Sequence, residues 1–354
     1  TTTTLQWTTT GAPVATVDLR LGWDGPCSEY VIAQGVPNTG SYQWLVPNLS
    51  TTGAHLLVSA ASGTRNGFGF ASRPVRIIGH RTRYVSAAGS NTPPYLTPAT
   101  AAHSIADAVA ACAGHDTVLV AGGDYTSRVT VSSTVRILGS WDPSFTMQDR
   151  ATHPTRLSCG GSALRFNEPA GDFSLVDNFV FVGCYGGNGS APVPGQHGGA
   201  VFVQGASPTI RNCDFTGNRA SVGSTAGYGG AICVVSGSPR VEDCTFTGNR
   251  ATRGGAISAS DAQVALVDCV FSGNACTDSS EGFRGAALYG QGTGWTVTGG
   301  SLAGNGSCHR GGAAYLEGGA ASFTDVEIAG NRARGDGGAL GGLGASLMMA
   351  RGRL

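Results

Sequence analysis

Lysine is missing from this sequence: all 22 basic residues are arginine, and they balance 22 acidic ones. A chain without lysine has no Walker-type phosphate loop, no Schiff-base lysine and no lysine-rich nucleic-acid arm. Charge is scarce too, at 12% of residues, and zero net charge gives no long-range steering toward nucleic acid or an anionic membrane. No apolar run reaches the 18 residues expected of a membrane-spanning helix, so no membrane span is expected. Glycine is abundant instead, at 57 of 354 residues, and 41% of the chain is apolar. That composition supports a buried core made largely of small side chains. No cofactor or metal is implied. The glycine-rich strings lack the strand–helix context of a nucleotide fingerprint, and His115, His197 and His309 lack metal-ligand spacing.

The chain starts at Thr1 with neither an initiating Met nor a signal-peptide pattern, as a mature chain or a fragment would. Ten cysteines and three Asn-x-Ser sequons, at Asn48, Asn188 and Asn305, lead to the expectation of an extracellular or cell-surface glycoprotein.

Residues 1–79 contain short alternating stretches separated by Gly, Pro and Asn groups. Examples are Val17, Leu19 and Leu21, then Tyr42-Gln43-Trp44-Leu45-Val46. This spacing predicts a β-sandwich. The string from Ala33 through Asn38-Thr39-Gly40-Ser41-Tyr42-Gln43-Trp44-Leu45-Val46-Pro47 resembles the core of a fungal family, the Ser/Thr-rich, GPI-anchored cell-wall proteins with an immunoglobulin-like module. The resemblance implies a cell-surface setting and brings no catalytic residues. Trp7, Trp23 and Trp44 are expected in packing, with a sugar-stacking platform as the other reading.

From residue 80 onward the pattern changes. Ile105, Ala108, Val109 and Cys112 recur at helical spacing after Ser104, a suitable N-cap, and many short strand-like runs follow. A short helix ahead of such runs suits the cap of a solenoid, placed at about 83–125.

An internal repeat then emerges. One mark is Gly-Gly-Ala-apolar, as in Gly198-Gly199-Ala200-Val201, Gly229-Gly230-Ala231-Ile232 and Gly254-Gly255-Ala256-Ile257, with variants from Gly285, Gly311 and Gly337. The other is Phe-x-Gly-Asn, ending at Asn218, Asn249 and Asn274, with later forms ending at Asn305 and Asn331; the steps between these asparagines are 31, 25, 31 and 26 residues. That period fits one three-sided coil, with about five extra residues looped out of the longer ones. Coils stacked at about 4.8 Å would pair each strand with its successor, and roughly nine or ten fit the remaining length.

The interior follows position by position. Phe215, Phe246 and Phe271 point inward, as do Cys213, Cys244 and Cys269 two residues earlier. Between them and the preceding apolar column (Ile210, Val241, Leu266) the two-residue period breaks, predicting a corner. The corner column is Asn178, Asn212, Asp243, Asp268, Gly299 and Asp325, residue types that tolerate a left-handed backbone. The asparagines ending each mark form a second column, with their amides bonded along the stack.

These paired marks resemble the GGAI and FxxN repeats of the chlamydial polymorphic outer-membrane proteins, over about residues 195–342. The resemblance implies a right-handed parallel β-helix, here without that family's C-terminal membrane barrel. Gly139 to Phe145 is similar to related bacterial and algal surface proteins.

The cysteine columns are expected to be buried hydrophobes. Cys276 and Cys308, two and three residues past successive ladder asparagines, form the first disulfide candidate; Cys112 with Cys159 is the second. Asp243 and Asp268 have the spacing of a carboxylate pair or a Ca²⁺ site, but the corner explains them without function. Arg219, Arg250 and Arg332 follow the ladder, while Arg253, Arg284 and Arg310 precede the glycine mark. They are either a stripe for anionic glycans or an acidic partner, or solvated charges blunting a flat sheet.

The sequence thus predicts an all-β chain: an immunoglobulin-like sandwich over 1–79 and a right-handed parallel β-helix over 80–354. The expected role is non-catalytic, as a structural or adhesive building block of a filament, sheath, wall layer or flagellar hair. The expected partners are further copies, other surface proteins or glycans, and not nucleic acid. Head-to-tail pairing would use the last coil, unless the apolar Leu343, Leu347, Met348 and Met349 cap it. The competing readings are a polysaccharide lyase or hydrolase, and a glycan-binding module.

Overall fold

The computed structural model describes residues 2–10, 14–22, 29–46, 51–62, 65–70, 75–77, 80–168, 174–186, 198–220, 227–277 and 281–353. The chain divides into two compact units, Thr1–His80 and Arg81–Leu354, a boundary one residue later than the sequence reading placed it.

In the first unit every described strand pairing is antiparallel. Thr2–Gln6 pairs with Ser41–Leu45. A second sheet runs Glu29–Pro37, Thr16–Gly22, Thr51–Ser62, Arg65–Phe70, and Val75–Ile77 also pairs with Thr51–Ser62. Alternation along Thr16–Gly22 buries Val17, Leu19 and Leu21. Leu21, Trp44 and Ala54 form a core flanked by Leu5, Tyr30, Ile32, Tyr42 and Val46, so residues from both sheets meet in one apolar layer.

The second unit is a parallel β-helix. Sheet A has ten strands, from Thr82–Val85 to Ser346–Ala350. Sheet B has eight, from Gly123–Tyr125 to Glu327–Ala329, and sheet C has eight, from Val129–Val131 to Leu340–Leu343. The three-sided coil needs one correction. A fourth strip of two-residue strands, Tyr185–Gly186, Arg219–Ala220, Arg250–Ala251 and Ala275–Cys276, lies in sequence between sheets B and C. It arises because the backbone stays extended for two residues after Cys184, Asn218, Asn249 and Asn274 and pairs in register from coil to coil. The apolar tail is also different from a separate cap: Leu340–Leu343 and Ser346–Ala350 simply continue sheets C and A.

Corners explain why a three- or four-residue strand stops where it does. Between sheets A and B, Asn178, Asn212, Asp243, Asp268, Gly299 and Asp325 all have φ between 49° and 66°. Between sheet B and the strip, the glycine of Phe-x-Gly-Asn is left-handed in every copy, from Gly217 at 63° to Gly330 at 63°. These residue types bear that conformation at least cost. In the glycine mark the limit is space. A Cβ on Gly255 would collide with the carbonyls of Ala286 and Ala275.

The helix Ile105–Ala110 is N-capped by Ser104, whose Oγ accepts from the amides of Ala106 and Asp107 at 3.1 and 3.4 Å. Ile105, Ala108 and Val109 are buried against the first strands of sheets A and C. Beside them Arg83 and Asp116, both almost fully buried, form an ion pair at 3.0 Å.

Candidate functional site

The asparagine column is continuous. Asn249 accepts at Oδ1 from the backbone N and Nδ2 of Asn218, at 2.9 and 3.0 Å. Its own Nδ2 donates to Phe215 O and to Asn274 Oδ1, at 2.9 and 3.0 Å. Asn274 and Asn305 repeat the pattern, Asn331 ends it, and the backbone N of Cys184 begins it by donating to Asn218 Oδ1 at 3.0 Å. Phe181, Phe215, Phe246 and Phe271 stack beside this ladder with centroids 4.6–4.8 Å apart and planes within 5° of parallel.

Asn305 was also a glycosylation candidate, and here the structure corrects the sequence reading. It is buried to 1% exposure, and its Nδ2, the atom a glycan would occupy, donates to Phe271 O and Asn331 Oδ1. The candidates Asn48 and Asn188 lie outside the described residues, as do His197, Trp23 and Cys27.

Cys276 and Cys308 are joined by a disulfide with Cα atoms 5.0 Å apart. The second pairing is corrected: Cys112 and Cys159 are both free thiols. Cys112 closes the helix and donates to Ala108 O, while Cys159 donates to Gly161 O. Cys213, Cys244 and Cys269 are buried in one column, each donating to the carbonyl two residues before it. Burial pushes the Cys269 thiol up to about 12 and Cys244 well above its ordinary value.

The carboxylates Asp243 and Asp268 sit at their corners with φ of 49° and 50°. Among the described residues no three His, Cys, Asp or Glu side chains converge as they would around a metal ion. Asp142, in the Gly139–Phe145 segment, accepts from the Ser144 hydroxyl and the amides of Ser144, Thr146 and Met147. Those bonds, the Ser144 hydroxyl first, hold its carboxyl well below the usual range and fix the loop. Trp44 is buried, and Trp7 donates its indole N–H to Asn38 Oδ1 at 2.8 Å.

The richest polar chemistry lies on the outer face of sheet C. Parallel bridges place Tyr228, Arg253, Arg284 and Arg310 in one file on successive coils. The outward residues beside them, Phe202, Cys233, Ser258, Tyr289 and Tyr315, are nevertheless buried. Arginine covers several of their rings. The Arg165 guanidinium lies 4.7 Å from the Phe202 centroid, that of Arg253 5.6 and 5.5 Å from Tyr228 and Tyr289, and that of Arg284 5.3 Å from Tyr315. Glu317 pairs with Arg284 and accepts from the Tyr289 hydroxyl at 2.7 Å. Arg310 lies 3.6 Å from the exposed Asp336 carboxylate. Arg253 is held by neutral oxygens, those of Gly282, Tyr228 and Tyr289, each at 3.3 Å. Burial raises the Tyr289 phenol above its ordinary value.

The sequence pointed to these arginines but not to the tyrosines beneath them. Their signal was present: the residue directly after each Gly-Gly-Ala-apolar mark occupies this outward position. The other arginine series is interrupted. Arg219 and Arg250 pair directly, but Ala275 and Gly306 follow them before Arg332.

Short parallel strands, left-handed corners and a shared dry interior define a parallel β-helix protein. The family model described as a right handed beta helix region matches residues 158–331, which gives the coil its hand. A solved structure titled "Rhamnogalacturonan lyase" aligns over 68% of this chain and 74% of that one, at 14% identity and a TM-score of 0.33, a likeness too distant to speak to activity. No curated protein matches the sequence.

Proposed function

We propose that this chain is a structural or adhesive element of an extracellular or cell-surface assembly, presenting a stiff β-helix to further copies, other surface proteins or glycans. One observation carries the reading: the repeated polar and aromatic residues are spent on contacts between coils. The asparagine amides bond rung to rung, the phenylalanines stack, and Arg284 is neutralised by Glu317 on the next coil of sheet C. Such a scaffold holds a surface in register over its length. The cell-surface setting also accords with the wall-protein and outer-membrane-protein resemblances of the two parts. Electron microscopy of native material tests the proposal. Ordered filaments, layers or wall-bound particles containing the chain are expected; a free monomer with no surface association overturns it.

The second reading is a carbohydrate-active enzyme. It is favoured by the Arg284, Glu317 and Tyr289 groups, which join a cation, a carboxylate and a phenol on one sheet face. It requires turnover of pectin, alginate or glucan that is lost in Tyr289→Phe or Glu317→Gln.

A further inference from the structure

The arginine file on the outer face of sheet C is not uniform. Parallel bridges set Arg253, Arg284 and Arg310 on successive coils. Arg284 is paired with the Glu317 carboxylate, and Arg310 lies 3.6 Å from that of Asp336. Arg253 has no carboxylate partner among the described residues. Its Nε donates to Gly282 O and its Nη1 to the Tyr228 and Tyr289 hydroxyls, all at 3.3 Å, which is long for such bonds. Glu317 is committed elsewhere, to Arg284 and to the Tyr289 hydroxyl.

Two donors are left unspent. Arg253 Nη2 has no acceptor among the described residues. Tyr289 gives its hydroxyl proton to Glu317, but Tyr228 only accepts, from Arg253, and gives its own proton to no described group. Arg253 and Tyr228 sit on adjacent coils, joined by a parallel bridge, and both are half-buried and so open to solvent. An unanswered positive charge and a free hydroxyl donor therefore stand side by side.

We propose that Arg253 and Tyr228 form a binding site for one oxyanion, a carboxylate or sulfate, carried by an acidic polysaccharide. This names the glycan class for the surface role proposed above and rests on that role. Arg253 supplies the charge and a charge-assisted hydrogen bond from Nη2, and the Tyr228 hydroxyl supplies a second donor. The Tyr228 and Tyr289 rings, with centroids 5.6 and 5.5 Å from the guanidinium carbon, hold the cation in place. The surroundings favour a glycan over a protein partner. A protein interface is built on an apolar centre, yet among the described residues of sheet C the one exposed large apolar side chain is Leu343, on its last strand. Tyr289 and Tyr315 are buried beneath the arginines. The remaining surface is polar, which suits a ligand of many hydroxyls and isolated charges.

The test measures binding of the full chain to four polymers: polygalacturonate for carboxylate, dextran sulfate for sulfate, dextran as the uncharged control and polyglutamate as the acidic peptide. Binding to polygalacturonate, dextran sulfate or both is expected, the tighter one naming the anion, with none to dextran and weaker binding to polyglutamate. Arg253→Gln should weaken it about tenfold or more, and Tyr228→Phe, which keeps the ring, about fivefold. Arg136→Gln, at an exposed arginine of sheet A, should leave it unchanged. Tyr228→Phe carries the test if Arg253→Gln does not fold. No binding to either acidic polysaccharide, equal losses in Arg253→Gln and Arg136→Gln, or polyglutamate bound as tightly as the polysaccharides overturns the proposal. Ordered surface assemblies of a chain indifferent to acidic glycans would overturn this inference alone and leave the surface role standing.

Discussion

Tyr125 shows how one side chain records the dryness of the coil interior. It opens the column that continues through Leu157 and Phe181 to Ile328, and its hydroxyl donates to Ala121 O at 3.0 Å. Burial pushes its phenol from 10.0 to about 12. The sign of the linkage follows. An exposed phenol in the unfolded chain ionises near pH 10 while the folded one stays neutral, so this contribution is complete below pH 10 and is lost as pH rises toward 12. Two units correspond to about 3 kcal/mol as an upper figure. Tyr125→Phe should therefore flatten the loss of stability between pH 10 and 12, and ultraviolet titration should show one fewer late-ionising tyrosine. An unchanged titration curve would contradict the burial argument.

At the scale of the element, the ladder behaves as one unit whose cost depends on position. Removing the Asn249 side chain strands the Asn218 backbone N–H in the dry core and takes an amide donor from Phe215 O and from Asn274 Oδ1, which keeps only the backbone N–H of residue 249. Each orphaned buried group costs about 1–3 kcal/mol. Asn249→Leu should thus lower the urea midpoint severely, while Asn331→Leu, at a half-buried rung, should cost clearly less. Similar midpoints for both would mean that the ladder bonds are not what holds the coils. Much of this element was legible beforehand. The inward columns, the Asx corners and the ladder all repeat at one period, and periodicity survives without knowledge of contacts. The tyrosines under the arginines were not legible, because an outward strand position reads as solvent-facing until something is known to cover it.

For the whole molecule, the disulfide matters because it links two stacked coils through a loop with a sequence separation of 32. Constraining a loop of that length stabilises by about 3–4 kcal/mol in the chain-entropy model. Cys308→Ser should lower the thermal midpoint, with hydrogen exchange rising first in the coils around Cys276 and Ala286, which share the small cluster with Cys308. Exchange rising uniformly along the β-helix would show instead that the bond acts globally.

The sequence alone determined the stacked architecture: a repeated residue at a constant period can satisfy its hydrogen bonds and bury its side chain only against its own copy one coil away. It also marked where each strand stops, since Asn, Asp and Gly tolerate the left-handed backbone of a corner. Only the tertiary structure decided which repeated residues were spent inside and which remained outside. It turned the Asn305 sequon into a buried rung and left Cys112 and Cys159 unbonded. Those outcomes depend on the stagger between neighbouring coils and on what covers the outer face of a sheet. Both are set by contacts between segments distant in sequence, which no single repeat encodes.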